Sequence, residues 1–216
     1  MITFKINGDK YKLPTEWSDV SYRDYIALLS LPNSLLHYLN LFTRIGLETL
    51  QKAKINNLEK IALALSFLTI PPKMEGHSNM VGPYVLPQDV TLQSLGQFED
   101  LKSLLAKVPK ELTTIEDNLK LSDLYLTACA IYVQKVKHGE YNFGRVEGVK
   151  EELKDYSCMQ VIPTGGFFLF RPLLISQPTS TRSQIILQRL KKLIQDFPGY
   201  QKTLELMHRS FGSPEK

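Results

Sequence analysis

The sequence is short of the residues and patterns from which a chemistry is usually recognised. Its 216 residues include only two cysteines, Cys129 and Cys158, and neither lies in a CxxC or CxxH pattern. We therefore expect neither a disulfide framework nor a zinc site, and both side chains are predicted to fill apolar space in a reducing cytosol. The apolar runs are too short to span a bilayer, and the charged N-terminal stretch lacks the apolar core of a signal peptide.

Motifs that hold nucleotides, metals or nucleophiles are also missing from the sequence. It contains no GxGxxG or GxxxxGK[ST] loop, no HExxH or EF-hand pattern and no GxSxG turn. The four histidines are isolated from one another, which is typical of surface or core residues. Glu151 and Glu152 are adjacent, so on a helix they point in different directions and do not form a paired-carboxylate site. We expect a protein that is not an enzyme and that uses no cofactor and no metal.

The chain has no charge excess outside its C-terminal segment. Residues 176–216 hold seven Lys and Arg against three Asp and Glu, a surplus equal to the net charge of +4 of the whole chain. This segment is either an ordinary solvated helix face or a surface for an acidic partner. The residues that would bind such a partner are Arg182, Arg189, Lys191, Lys192, Lys202 and Arg209. Nucleic acid is the alternative partner, although no helix-turn-helix, zinc-finger or RNP pattern accompanies these basic residues.

The N-terminal residues show the clearest strand pattern. Ile2, Phe4 and Ile6 alternate with polar residues, which is the periodicity of a half-buried strand. The dipeptide Asn7-Gly8 suits the positive backbone angles of a tight hairpin turn, and Pro14 is expected to end the returning strand. The Tyr-x-Leu-Pro of this strand recurs at residues 84–87. We expect residues 84–86 to pair with the hairpin as a third strand.

Helical periodicity dominates the rest of the chain. The predicted fold is mainly α: a multi-helix globular domain of about eight helices with an N-terminal β-hairpin or small sheet. Residues 1–176 form the predicted core domain, and residues 177–216 form a basic amphipathic C-terminal helical arm. Further predictions are helices from Ser21 to Pro32, from about 33 to Gly46, from about 47 and 57, from Thr91 to about 106, and from Ser122 to a cap at Gly139.

Residues 157–176 combine glycines, prolines and aromatic residues, so we expect helical continuity to break there. Gly165-Gly166 permits a close backbone approach or an unusual turn, and Phe167, Phe168 and Phe170 follow within four positions. Two interpretations remain open for these aromatic residues. They fill the core where the last helices dock, or they anchor a protein-contact surface to which Trp17 and Tyr22 also belong.

The order of motifs at the start of the chain resembles a known class of proteins. A hairpin leads to Pro14-x-x-Trp17 and then to a helix start with the pattern Ser21-x-x-x-Tyr25. This layout, over residues 2–30, resembles small proteins of tailed bacteriophages, including tail-assembly-chaperone-like proteins, with looser similarity at residues 84–101 and 165–170. The resemblance implies a non-enzymatic role, as a virion component or an assembly chaperone.

The expected partners are accordingly other proteins of the virion or its assembly, or a second copy of the chain. The expected location is the host cytoplasm or the virion, without contact with a membrane.

Overall fold

The computed structural model describes residues 1–55, 58–72, 78–86, 94–109 and 112–175. These residues form two compact units, of which the first contains Met1–Pro72 together with Ser157–Met159 and the second contains the remainder. The structure is mainly helical with an N-terminal β-hairpin, which confirms the predicted fold class. The elements are β1 Ile2–Ile6, β2 Asp9–Leu13, α1 Tyr22–Ser30, α2 Leu35–Thr43, α3 Leu47–Lys52, α4 Leu58–Ala64, β3 Met80–Val81, β4 Tyr84–Val85, α5 Leu95–Leu105, α6 Ile115–His138, α7 Val146–Leu153 and α8 Cys158–Ile175.

The predicted division after residue 176 falls at the edge of the described residues. The predicted arm, residues 177–216, lies outside them and stays a prediction.

The N-terminal hairpin has the predicted turn. Asn7 and Gly8 take φ values of 51° and 100°, so strands β1 and β2 pair antiparallel through a two-residue turn. Phe4, Ile6 and Leu13 lie on one face of this ribbon and are buried. They pack in one apolar cluster with residues of α2, α3 and α4 and of the turn after α4, which are Leu39, Leu50, Ile61 and Leu65. This docking stabilises a two-stranded ribbon that would be marginal alone.

Helix α1 begins and ends as predicted, and α2 ends differently. The Ser21 hydroxyl accepts a hydrogen bond from the Asp24 backbone N–H at 3.1 Å, and the helix ends before Pro32. The residue that ends α2 is Arg44, in the left-handed conformation with φ of 61°, rather than Gly46. An ion pair from Arg44 to Asp24 at 2.5 Å accompanies this unfavourable backbone conformation for a non-glycine residue.

Helix α6 begins seven residues before the predicted Ser122. Thr114 and Asp117 form a capping box in which each side chain accepts a hydrogen bond from the other residue's backbone N–H. Ser122 is therefore a buried residue inside the helix rather than its cap. The predicted end is confirmed, because Gly139 takes a φ of 77° and closes the helix.

Helix α8 is continuous where a break was predicted. It runs through Pro163, Gly165 and Gly166, although a proline inside a helix removes one backbone hydrogen bond. A Cβ atom on Gly165 would lie 2.0 Å from the backbone oxygen of Tyr125 in α6. The glycine thus allows the two helix backbones to touch. Val161, Ile162, Phe167, Phe168 and Leu169 are buried on this helix, and their burial offsets the lost hydrogen bond.

The expected third strand of the N-terminal hairpin does not form, so that prediction is wrong. Tyr84–Val85 pairs instead with Met80–Val81, in a separate two-stranded ribbon. Gly82, with φ of 55°, lies in the turn that brings these neighbouring residues together. Local turn geometry therefore decides the pairing. The residues expected to start the next helix, from Thr91, lie outside the described ranges, and α5 begins after a capping box of Ser94 and Gln97.

Replacement of Gly165 by alanine tests the contact between α6 and α8. We expect Gly165→Ala to lower the free energy of unfolding by about 1–3 kcal/mol or more, because the new methyl group overlaps a backbone oxygen that cannot move aside alone. The measurement is urea denaturation. The control is Gly148→Ala, at an exposed site in α7 with no atom within 4 Å of the new Cβ, which should stabilise by about 0.5–1 kcal/mol. Equal effects of the two substitutions would contradict this view of the contact.

Candidate protein-contact surface

Three aromatic side chains of the first unit form a partly exposed group around Trp17, which is also hydrogen-bonded to the backbone of Ile70. The Trp17 ring meets Phe67 edge-to-face at a centroid distance of 5.3 Å and Tyr25 at 6.0 Å. Its indole Nε1–H donates to the Ile70 carbonyl oxygen at 2.9 Å. Trp17, Tyr25 and Phe67 are half-buried, and Ile70 is 60% exposed. We call these four residues the Trp17 surface.

The backbone at Trp17 is held by several hydrogen bonds. Trp17 opens a short 3-10 turn, Trp17–Asp19, whose final carboxylate accepts from the Thr15 backbone N–H at 3.1 Å. The Cys158 thiol donates to the Trp17 carbonyl oxygen, and the Cys158 backbone N–H donates to Val20 at 2.9 Å. Burial raises the pKa of Cys158 to about 12, so the thiol keeps the proton that it donates. The indole ring is therefore presented from a fixed backbone.

Among the predicted contact residues, Trp17 and Tyr22 are brought into one aromatic cluster. Tyr22 is fully buried and lies 5.9 Å from the Tyr25 ring, so it supports the Trp17 surface from beneath. Sequence reasoning missed Tyr25, Phe67 and Ile70 as members of this surface. Tyr25 belongs to the Ser21-x-x-x-Tyr25 pattern, but no local signal connects Trp17 with residues about fifty positions further along the chain.

The other predicted contact residues lie in the second unit, mostly in its interior. Phe168 is 1% exposed and stacks on Tyr132 with ring centroids 3.4 Å apart, and Phe167 is 8% exposed. Phe170 is half-buried and meets Tyr125 edge-to-face at 6.1 Å. The burial of Phe167 and Phe168 agrees with the first interpretation of the aromatic residues, that they fill the core. The predicted acidic-partner residues lie outside the described residues: Arg182, Arg189, Lys191, Lys192, Lys202 and Arg209.

A second cluster of functional side chains surrounds the Glu152 carboxylate in the second unit. Tyr84 donates to Glu152 at 2.6 Å, Tyr156 donates at 3.2 Å, and Lys137 forms an ion pair with the same carboxylate. The hydrogen bonds from Lys137 and Tyr84 lower the pKa of Glu152. The hydrogen bond between Lys137 and Glu152 in turn raises the pKa of Lys137.

This arrangement holds Glu152 ionised and Lys137 protonated across the neutral range. Glu152 itself lies in α7, Tyr84 lies in β4 and Lys137 lies in α6. The carboxylate therefore connects the β3–β4 ribbon to α6 and α7. Its chemical effect is structural: it attaches a short ribbon that has little pairing of its own.

No helix within the described ranges combines the length and apolar character needed to cross a membrane. Within the same ranges, no group of three or more His, Cys, Asp or Glu residues is placed to hold a metal ion. No protein-family model matches the chain, and no curated protein and no solved structure is significantly similar to it. The case for a function therefore depends on the residues themselves.

The fluorescence of Trp17 tests the packing of the Trp17 surface, because it is the only tryptophan in the chain. We expect Phe67→Leu to expose the indole, since the edge-to-face partner is lost. Acrylamide quenching should increase and the emission should shift to longer wavelength. The control Phe143→Leu changes a ring that is 57% exposed in the second unit and should leave both properties unchanged. Unchanged quenching in Phe67→Leu would contradict the assigned contact.

Replacement of the central carboxylate tests the Glu152 cluster. Glu152→Gln should lower the free energy of unfolding by about 1 kcal/mol at pH 7, because three donors lose a charged acceptor. A group with a lowered pKa stabilises the fold above its ordinary pKa, and that contribution disappears as the pH falls through the lowered value. The difference between wild type and variant should therefore begin to shrink as the pH falls below the ordinary glutamate pKa of about 4.3, and it should vanish at a still lower pH, below the lowered pKa of Glu152.

Urea denaturation across a pH series measures this difference. Glu99→Gln is the control. The Glu99 carboxylate forms an exposed pair with Lys102 at 3.9 Å, so its replacement should change stability by less than about 0.5 kcal/mol. A Glu152→Gln deficit that is independent of pH would rule out the charge-based explanation.

Proposed function

We propose that the chain is a non-enzymatic protein of a tailed bacteriophage that acts by binding other proteins, in the virion or during its assembly. The observation that carries this proposal is the Trp17 surface, where three aromatic rings pack together and the Trp17 indole is hydrogen-bonded to the backbone of Ile70, whose side chain is exposed. Aromatic side chains are the favoured anchors of protein interfaces. The phage context comes from the resemblance of residues 2–30 to tail-assembly-chaperone-like proteins.

The geometry of Trp17 suits an anchor. Its N–H group is already satisfied by Ile70, so a partner that covers the ring leaves no polar group of the indole unpaired. The edge contacts with Phe67 and Tyr25 restrict the ring before a partner arrives, which lowers the entropy lost on binding. The partner that fits is a protein with a complementary apolar patch, such as a neighbouring virion protein or a second copy of this chain.

The alternative function is binding of nucleic acid by the basic C-terminal residues 182–209. The charge surplus of residues 176–216 favours it. A filter-binding titration against salt separates the two functions, because phosphate contacts weaken steeply with salt and an apolar contact does not.

Substitution of Ile70 tests the proposed surface without disturbing its core. The chain is co-expressed with the proteins encoded beside it and purified through a tag, and the co-purifying proteins are quantified by mass spectrometry. Ile70→Ser should reduce capture of the partner about fivefold or more, the effect expected for an interface residue worth about 1 kcal/mol or more. Leu95→Ser, at a leucine 77% exposed in the second unit, is the matched control and should leave capture unchanged.

Two outcomes would contradict the proposal. Equal capture of the partner by both variants would show that the Trp17 surface does not contact it. Absence of the chain from both purified virions and assembly complexes would show that the proposed phage role is wrong.

A further inference from the structure

The solvent face of the N-terminal hairpin consists of three lysines and one threonine. In the antiparallel register Thr3 is opposite Lys12 and Lys5 is opposite Lys10, and all four side chains are exposed. Residues of a strand alternate between faces, so this face is the reverse of the one that packs Phe4, Ile6 and Leu13 into the core. We call Lys5, Lys10 and Lys12 the lysine face.

Among the residues that the structure describes, no acidic group forms an ion pair with the lysine face. None of the three lysines forms an ion pair with another described residue, whereas other lysines, such as Lys137 and Lys150, do. The acidic residue of the hairpin, Asp9, is opposite Ile6 in the register and so belongs to the other face.

Two like charges directly opposite each other destabilise a strand pair, by up to about 1 kcal/mol. Lys5 and Lys10 are such a pair, with side chains about 5 Å apart at their Cβ atoms. An anionic ligand placed over the face would convert this repulsion into attraction. A feature that weakens the fold and is relieved by a ligand is expected at a binding surface.

The composition of the face indicates which anion fits. Interfaces with proteins are enriched in aromatic residues and arginine and depleted in lysine, so an acidic protein is the less suitable partner. Lysine and threonine instead provide point charges and hydroxyl groups for phosphate oxygens, without groups that distinguish bases. A two-stranded ribbon is also a shape that the major groove of B-DNA admits.

We propose that the lysine face binds the phosphate backbone of double-stranded DNA without sequence preference. This activity is separate from the protein contact at the Trp17 surface. It also differs from nucleic-acid binding by the C-terminal residues, because it is assigned to different lysines.

The test compares two triple variants that remove the same charge. The first is Lys5→Gln with Lys10→Gln and Lys12→Gln. The matched control is Lys60→Gln with Lys107→Gln and Lys120→Gln, three exposed lysines on or next to helices. Both variants lower the formal net charge by three, so a difference between them reports position rather than total charge.

Binding of each full-length chain to a labelled duplex of arbitrary sequence is measured by fluorescence anisotropy between about 50 and about 200 mM salt. Each phosphate contact contributes about 0.9 to the slope of log K against log salt, so loss of the lysine face should make the slope shallower by about 2–3. The control should keep the wild-type slope. Single substitutions of Lys5 and Lys12 should each remove about one unit.

Two results would overturn the proposal. Equal slopes for the two triple variants would show that the lysine face makes no phosphate contact, even if the chain binds DNA elsewhere. Binding of the same chains to poly-glutamate is measured in parallel. If the lysine-face variant loses binding to poly-glutamate but keeps the wild-type DNA slope, the face is assigned to an acidic protein. Thermal melting confirms folding, and the first variant should melt at the same or a higher temperature because it loses a like-charge pair.

Discussion

The second unit depends on a contact in which two helix backbones touch. At Gly165, α8 approaches the carbonyl oxygen of Tyr125 in α6 so closely that no side chain fits between them. This approach also brings Phe168 onto the ring of Tyr132. Helix α6 is buried along most of its C-terminal two thirds, so α8 has an apolar surface to cover. One residue without a side chain thus determines where the aromatic residues that follow it can lie.

The first unit separates its core from its exposed faces by strand alternation. One face of the hairpin holds the apolar residues that join the core, and the other holds only Thr3 and lysines. The Trp17 surface lies after the hairpin, where a short turn places an indole against residues from α1 and from the segment after α4. The apolar contact and the charged contact that we propose can therefore be tested independently by mutation, because they are assigned to different side chains.

Local signals predicted local structure well. The Asn7-Gly8 turn, the Ser21 cap and the Gly139 cap each depend on residues within four positions, and each was confirmed. The failures also have physical reasons. The capping box at Thr114 was overlooked because an apolar run began later, and the break expected near Pro163 was overridden by burial. Tyr84–Val85 pairs with the adjacent Met80–Val81 rather than with the N-terminal hairpin, because closing a short turn loses less entropy than a distant pairing.

The sequence by itself determined the fold class, the hairpin with its two faces, and the start of α1, because alternation and capping act between near neighbours. It also identified Trp17 and the phenylalanines as the aromatic residues of interest. Only the tertiary structure decided which of them meet solvent. Phe167 and Phe168 are buried since Gly165 draws α8 against α6, whereas Trp17 stays half-exposed beside Phe67 and Ile70. Exposure depends on what packs against a side chain from distant parts of the chain, and no local pattern contains that information.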